Sequence, residues 1–463
     1  PGLGGRGRPR ATGADERMSA RELRYTRPWL YAKQEAAIFC PERFAVIEAG
    51  TKTGKAQPVS AVVMTPSGPK AMGSIRVGES VCTPSGTATV VGVYPQGVQR
   101  IWRLTFSDGA STECTDDHLW ELHSFESDYR RGFQYRLRDK PSMSRRRDRI
   151  GWPRVLPMAW LRSKSEQTLR RLWVPVASPV SFTSQQLPVD PYLLGVLLGD
   201  GNMTAETLRV STGDAEIADR IKAALPKDHA LRVIRVNAGC IDYAIGPTRS
   251  YQHMTTLNAR LRVLGVWGKH SYDKSVPSQY LYGDVLSRLA MVRGLMDTDG
   301  EVGKTGFVGF STTSPQLARD MASLIRSLGG LAGIVQRRTV IKLPDGTRKP
   351  ARDHYRVRVT HPDPATLFLL ARKRARCLPK KKPMRRTLRA IAYVGEAEAQ
   401  CIAIDDPRGL YLTNDFIVTH NTVGCRAWLV EQAIAGHEGW QYPWVAPWYG
   451  TARVAYRRAK QGL

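Results

Sequence analysis

Two sets of residues in this sequence have side chains and spacing suited to chemistry. The first is a pair of aspartates 99 residues apart, Asp200 in Pro191-Tyr192-Leu193-Leu194-Gly195-Val196-Leu197-Leu198-Gly199-Asp200-Gly201 and Asp299 in Val292-Arg293-Gly294-Leu295-Met296-Asp297-Thr298-Asp299-Gly300. Each ends an apolar helical run just before a glycine, where the helix dipole disfavours a carboxylate, so a bound metal cation is a physical reason for both. The second set is Gly50, Gly54 and Lys55, a glycine-rich turn after the apolar run Phe44–Glu48. A strand, a glycine loop and a lysine present backbone N–H groups and an ammonium to phosphates. The hydroxyl that such a loop places after its lysine is missing: Ala56 follows, and Pro58 soon after. It is found at Thr422, because deleting residues 56–421 joins Lys55 to Thr422 and completes Gly-Lys-Thr before a helix-like run.

The elements that must position these groups change character along the chain. Residues 56–120 hold short β-type runs, expected as strands at Ser74–Val81, Thr89–Tyr94 and Ile101–Phe106, with Ser107-Asp108-Gly109 as a hairpin turn. Residues 121–185 read as basic and loop-rich, and their Arg145, Arg146, Arg147 and Arg149 fit either a solvated surface or contact with phosphates. The two apolar runs form an internal duplication, in which Gly195, Gly199 and Gly294 allow close helix packing and Gly201 and Gly300 suit a left-handed helix end. Ser314 and Pro315 start a helix over Gln316–Leu328 that Gly329-Gly330 ends. Strands are expected around Gly333–Ile341 and His354–Thr360. From Arg372 to Arg389 there are ten Lys or Arg and no acid, a solvated linker or a phosphate contact. A strand returns at Ala399–Ile404 and leads to Gly409–Thr422, which by pattern alone is a buried strand with a polar end.

At 463 residues the chain is long enough for two or three domains, and a net charge of +28 with only 24% charged residues asks for a polyanion, nucleic acid rather than membrane. No run of about 18 apolar residues and no signal-peptide pattern occurs, so a cytoplasmic location is expected. Residues 1–20, rich in Gly, Arg and Pro, are expected to be disordered. The seven cysteines lack Cys-x-x-Cys spacing, which argues against a disulfide framework or a zinc site.

The duplicated runs resemble the LAGLIDADG homing endonucleases. That resemblance implies a pseudo-twofold αββαββα unit that binds double-stranded DNA across a basic β saddle. Asp200 and Asp299 would hold Mg²⁺ and activate water for phosphodiester hydrolysis. Lys274, in Asp273-Lys274-Ser275-Val276-Pro277, matches the family's lysine-before-proline element, and no equally convincing lysine stands in the second half. Leu198 departs from the second copy, which has Asp297, and Gly199 stands where an Ala is common.

His420-Asn421-Thr422 resembles the C-terminal junction of an intein, and Thr115-Asp116-Asp117-His118 resembles the intein motif that polarises the N-terminal scissile amide. Ala56 removes the usual first nucleophile. With Trp120, Cys401 and Thr419 it resembles the class 3 inteins, which lack that nucleophile naturally; an engineered Cys-to-Ala change is the other explanation. The resemblance implies that Cys401 attacks the Lys55 carbonyl, that the acyl group passes to Thr422, and that Asn421, assisted by His420, cyclises. No cofactor is needed.

The expected fold is therefore multidomain: an all-β Hint (hedgehog/intein) splicing domain with an inserted α+β LAGLIDADG endonuclease, and flanks from an α/β P-loop ATPase. The boundaries are 1–55 for the N-terminal host flank, 56–185 and 372–421 for the splicing halves, 186–371 for the endonuclease and 422–463 for the C-terminal flank. The joined flanks resemble the ATPase start of a phage terminase large subunit, with Trp440–Pro447 as a following strand and Ala49 departing from the pattern. This implies ATP and Mg²⁺ at Gly50, Gly54, Lys55 and Thr422 after splicing, the terminase small subunit and portal as partners, and an infected bacterial host. The competing readings are a DNA-packaging protein with an inert insertion and a Hedgehog-like autoprocessing module. Retention of both aspartates speaks against the first, and His420-Asn421-Thr422 against the second.

Overall fold

The computed structural model describes residues 56–124, 153–248, 256–342, 346–379, 383–406 and 408–420. All belong to one compact unit of the chain, Trp29–Gly424. Within it an all-β region built from both ends of the described chain encloses an α+β region built from its middle.

The all-β region is a 12-stranded sheet whose main path runs Gly68–Ala71, Val62–Thr65, Leu410–Thr413, Ile417–His420, Leu119–Ser124, Leu172–Val174, Arg386–Ile404, Gly86–Phe106 and Ser80–Thr83. Its spine is the antiparallel pairing of Gly86–Phe106 with Arg386–Ile404. The two strands expected at Thr89–Tyr94 and Ile101–Phe106 are one continuous strand, because that long partner supplies ladder bonds through Pro95 and Gly97. The strand expected over Ser74–Val81 is not formed. Met72–Ser74 is a short 3₁₀ turn, and the chain bends at Gly78, whose φ of +89° only glycine adopts without strain, before Ser80–Thr83 pairs. The Asp108-Gly109 turn forms, with Gly109 at φ +78°. Residues 121–185 are more than a basic linker: Arg154–Pro157 and Leu172–Val174 both pair with Leu119–Ser124, and two short helices, Met158–Arg162 and Glu166–Leu169, lie between them. Arg145, Arg146, Arg147 and Arg149 lie outside the described residues.

The α+β region repeats one plan. Helix Pro191–Gly199 and helix Val285–Asp299 each lead into a four-stranded antiparallel sheet with a further helix, Ala215–Ala224 or Pro315–Ser327, in the connection. The second connection begins as the sequence dictates, with the Ser314 hydroxyl accepting from Leu317 N at 3.1 Å and Pro315 at the first helical position. Gly329, at φ +84°, closes that helix. The first leading helix is apolar on nearly every side, the second carries polar residues among its apolar ones, and the two pack together in the largest core cluster among the described residues. They approach through glycine: a Cβ on Gly195 would stand 2.5 Å from Met291 O, and one on Gly294 would stand 2.3 Å from Tyr192 O. Gly201 and Gly300 are not left-handed helix ends. Gly300 has φ −79°, both begin strands, and a Cβ there would strike Leu197 O at 2.4 Å or Met296 O at 2.3 Å. Glycine lets the first strand residue fold back onto the last turn of its own helix.

Candidate functional site

Because the two leading helices cross at Gly195 and Gly294, their C-terminal ends lie together, and those ends carry the aspartates. Asp200 caps the first helix and Asp299 is the last residue of the second. Asp200 is exposed and Asp299 half-buried. Loss of water, and next the charge of Asp200, pushes the Asp299 carboxyl up to about 7, and loss of water also raises Asp200.

Lys274 is buried at 4% exposure, and its ammonium donates to the carbonyls of Leu197 at 3.1 Å, Gly199 at 3.0 Å and Gly201 at 2.8 Å. Two of these carbonyls are acceptors that the helix end leaves over, and the third belongs to the strand that follows. Burial pulls this lysine down to about 8 against the pull of Asp299 and Asp200.

A second lysine does the same for the other helix. Lys373, in the short helix Ala371–Arg374, donates to Met296 O at 2.8 Å, Asp297 O at 2.7 Å and Thr298 O at 3.1 Å, and burial brings it down to about 8. Sequence reading missed it inside the basic run, where it looked like one solvated charge among ten. The signal was the repeat itself: Lys373 follows Lys274 by the same 99 residues that separate Asp299 from Asp200. The run is also not uniformly solvated, for Lys373 is 7% and Arg386 1% exposed. The short helix carrying Lys373 bridges the expected boundary at 371/372 and places this lysine with the aspartates.

Asp297, which has Leu198 as its counterpart, is buried away from the pair. It accepts from Leu369 N at 3.0 Å, Leu370 N at 3.1 Å and the Tyr192 hydroxyl at 3.0 Å, fixing the chain that leads into Lys373. Lys274 is held differently: its carbonyl accepts from Ser314 Oγ at 2.6 Å, and Val276 N donates to Asp320 Oδ2 at 2.8 Å.

This donor set fits a hard divalent cation. The charge of Asp200 raises the proton affinity of Asp299, a repulsion that positive charge between them relieves, and no group of three or more His, Cys, Asp or Glu suited to a metal occurs among the described residues. Such an ion would take its remaining ligands from water and a phosphate. The cross-strand register aligns Arg209, Ala244 and Arg232 in the first sheet, and Gly309, Arg358 and Gly333 in the second, each set on the face opposite the core-facing Val210 or Phe310.

The second site lies on the β region. Gln57–Pro58 pairs with the Arg386–Ile404 strand through Gln57↔Gln400, so one step further Ala56 stands across from Cys401. Ala56 and Cys401 pack in one small cluster at 1% and 3% exposure. The Ala56 amide nitrogen donates to Thr115 Oγ1 at 3.1 Å, and Thr115 N donates to Ala56 O at 2.9 Å. Gln57 is fully buried, its amide nitrogen 3.0 Å from Thr413 Oγ1 and its oxygen accepting from the Tyr411 hydroxyl at 2.9 Å. Burial, and next the nearby Cys401 and Cys114 sulfurs, hold that phenol far above its usual range.

A turn of three residues carries the chain from Thr115 to His118, whose Nε2 hydrogen-bonds Thr419 Oγ1. Trp120, fully buried, stands edge-on to His118 with ring centroids 5.4 Å apart. His420 pairs with Leu119 across the neighbouring strand and is 4% exposed. The structure thus brings Ala56, Thr115 and Cys401 together, and His118, Trp120 and Thr419 beside them. Lys55, Asn421, Thr422, Gly50 and Gly54 lie outside the described residues.

Comparison with known proteins bears on the two regions unequally. A replicative DNA helicase DnaB of Mycobacterium intracellulare is 26% identical over 388 residues, 81% of this chain and 60% of that protein. A DnaB helicase of Rhodothermus marinus is 28% identical over 187 residues, 38% of this chain and 20% of that protein. The chain spans about 60% of the longer match, and 388 aligned residues exceed the flanks 1–55 and 422–463 together, so most of that alignment runs through 56–421. Neither relative is a terminase, and the terminase host with its small subunit and portal finds no support in them. Among solved structures, the gp41-1 intein is 30% identical over 15% of this chain and 56% of its own, with a TM-score of 0.15. Variants of the homing endonuclease I-DmoI are 12% identical over 39% of this chain and 92% of their own, with a TM-score of 0.24. At such TM-scores neither overlap bears on the fold. Residues 287–361 match the family described as a LAGLIDADG-like domain. That match lies within the half of the repeat that begins with the Asp299 helix.

Proposed function

We propose that residues 56–421 are a self-splicing intein of class 3 type carrying a DNA endonuclease. The observation that carries this reading is Cys401 facing Ala56 while the Ala56 nitrogen donates to Thr115. A thiolate on Cys401 adds to the Lys55 carbonyl carbon, the Lys55–Ala56 bond breaks, and the Ala56 nitrogen leaves as an amine, giving a thioester. Thr115 orients the scissile amide, and His118, held by Thr419, donates the proton the leaving nitrogen needs. The Thr422 hydroxyl then takes the acyl group and returns the Cys401 thiol. The Asn421 amide nitrogen attacks its own carbonyl, freeing Thr422 and ending the insert in a succinimide. The freed Thr422 amine displaces the ester oxygen to leave an ordinary Lys55–Thr422 bond. Every step is intramolecular, so orientation supplies much of the rate, with effective molarities of about 10⁵ M or more.

At the second site a divalent metal would supply a Lewis acid and an activated water for phosphodiester hydrolysis, with Asp200 and Asp299 holding it. Lys274 and Lys373 keep both helix ends rigid and put positive charge beside the phosphate that is cut. The DNA is the gene in which the codons of Lys55 and Thr422 are adjacent. The host we read as a P-loop nucleotide-binding protein whose Gly50, Gly54, Lys55 and Thr422 meet ATP and Mg²⁺ only after splicing, inside a bacterial cytoplasm.

Intact-mass measurement on the expressed chain tests the splicing: ligated flanks and a free 56–421 fragment are expected, and both vanish in Cys401→Ala. Precursor that Ala56→Cys rescues, with Cys401→Ala harmless, would sink the class 3 route.

A further inference from the structure

The strand that carries Thr419 and His420 starts from a strained turn. Asp415 and Phe416 have φ of 56° and 57°, left-handed values that bulky residues adopt only when their surroundings impose them. Much of what imposes them belongs to the endonuclease region. Arg326, in the last turn of helix Pro315–Ser327 and 7% exposed, reaches Asp415 Oδ1 with Nη1 at 2.5 Å. Its Nη2 donates to Ala332 O at 2.8 Å and to Asp108 O at 3.2 Å, so one guanidinium joins its own sheet to the Asp108-Gly109 hairpin and the strained turn.

Other contacts close the cage. Ser111 N donates to the second Asp415 oxygen at 3.1 Å. Arg386 donates to Phe416 O at 3.1 Å and pairs with Asp108 Oδ2 at 3.2 Å. The Phe416 ring stands edge-on to Phe182, 6.2 Å between centroids, and Phe182 in turn lies 4.8 Å beneath the guanidinium of Arg288. Arg288 is fully buried near the start of the helix that ends at Asp299, donating to Gly283 O at 2.8 Å and Ser327 O at 2.9 Å and also bonding Val180 O.

We propose that the endonuclease region is a working part of the splicing site, with Arg326 as a positioning residue that, together with Arg288, holds the Asp415–Phe416 turn and so sets the strand carrying Thr419 and His420 against His118. This rests on the splicing reading above. The cage holds the turn that leads into the Thr419–His420 strand and reaches the Ala56 side only through the Thr419–His118 contact, so its loss acts on the two halves of the reaction unequally. Binding energy spent at either end of the Asp299 helix is shared with the splice junction, and by linkage splicing geometry is shared with DNA binding.

The test is splicing of the full chain carrying Asp415→Asn or Arg326→Met, with the thioester trapped by hydroxylamine and Asn421 release followed separately by mass. Asp415→Asn keeps the side-chain volume and tolerates the left-handed backbone, so it preserves the fold where Arg326→Met could fail to. Release at Asn421 is expected to fall about 10- to 100-fold, as small misplacements of reacting groups do, while thioester trapping, which feels the turn only through the Thr419–His118 contact, falls by a clearly smaller factor. Arg326→Lys, which keeps the charge, is expected to recover part of the loss. Wild-type release in both Asp415→Asn and Arg326→Met, or equal slowing of both steps, would overturn the proposal and leave the splicing reading standing. A wild-type chain that neither splices nor forms the thioester would overturn the splicing reading itself, and this inference with it.

Discussion

Asp200 and Asp299 meet because one motif occurs twice and its helices cross at glycine, whereas Ala56, Thr115, Cys401 and Thr419 meet because strands from opposite ends of the described chain pair. The carboxylate site is built from helix ends, each stabilised by its own lysine, and its two halves are locally autonomous. The splice site has no such autonomy, since Ala56 and Thr419 are far apart in sequence and each depends on one short segment, Thr115 to His118. The helix-end halves are each stabilised by their own lysine, whereas the strand-paired members share one short segment.

The sharpest way to break that contrast is to remove one member of each site. Cys401→Ala is expected to abolish ligated product on a mass spectrum while leaving DNA cleavage by the precursor intact. Asp200→Asn is expected to abolish cleavage of a plasmid bearing the joined host sequence and leave splicing unchanged. If either variant disables both activities, the sites are not separable.

A smaller effect probes the symmetry. Lys274→Met and Lys373→Met should each slow plasmid cleavage by about 10²-fold, the lower range for a charged group beside the reacting atoms, and by similar factors. A nicked intermediate that accumulates with only one of them would show that the two strands are cut by unequal halves.

The pH dependence has a defined sign. Asp299 is raised to about 7 in the fold from an unfolded value near 3.8, so between those values the folded chain binds more protons than the unfolded one. The stability that Asp299 contributes without metal is then greatest at low pH and falls as pH rises towards 7, the reverse of an ion-paired aspartate. Thermal unfolding in chelator from pH 5 to 8 should show this decline, and Asp299→Asn should flatten it. Added Mg²⁺ should remove most of it, because the ion replaces the proton.

The smallest expected effect separates the two lysine supports. Asp297→Leu copies the first half's residue into the second but strands the N–H groups of Leu369 and Leu370, so a loss of about 1–3 kcal/mol is expected in denaturant unfolding. Leu198→Asp in the first half has no such donors among the contacts described and should not recover it.

These differences also explain what the sequence made legible. The duplicated aspartates, the Ser314-Pro315 helix start and the Asp108-Gly109 turn follow from local rules that tertiary packing leaves alone. Lys373 was hidden because charge runs are read by composition, and only the 99-residue repeat distinguishes one buried ammonium among them. The Ser74–Val81 strand failed at Gly78, where a turn outweighs β-type neighbours, and the helix-ending role given to Gly201 and Gly300 failed because a returning strand, rather than a left-handed cap, closes both helices. The Arg326 and Arg288 cages carry no sequence signature, since their acceptors are mostly backbone carbonyls remote in the chain.

One feature of the splice site reaches beyond its chemistry. Thr115 bonds Ala56 and His118, one turn later, bonds Thr419, so on the splicing reading the two ends of the proposed insert converge on one short segment. A host protein would then meet both described ends of the proposed insertion at that one segment. Grafted between neighbouring residues of an unrelated surface turn, it should be carried as a passenger without prying the carrier's strands apart.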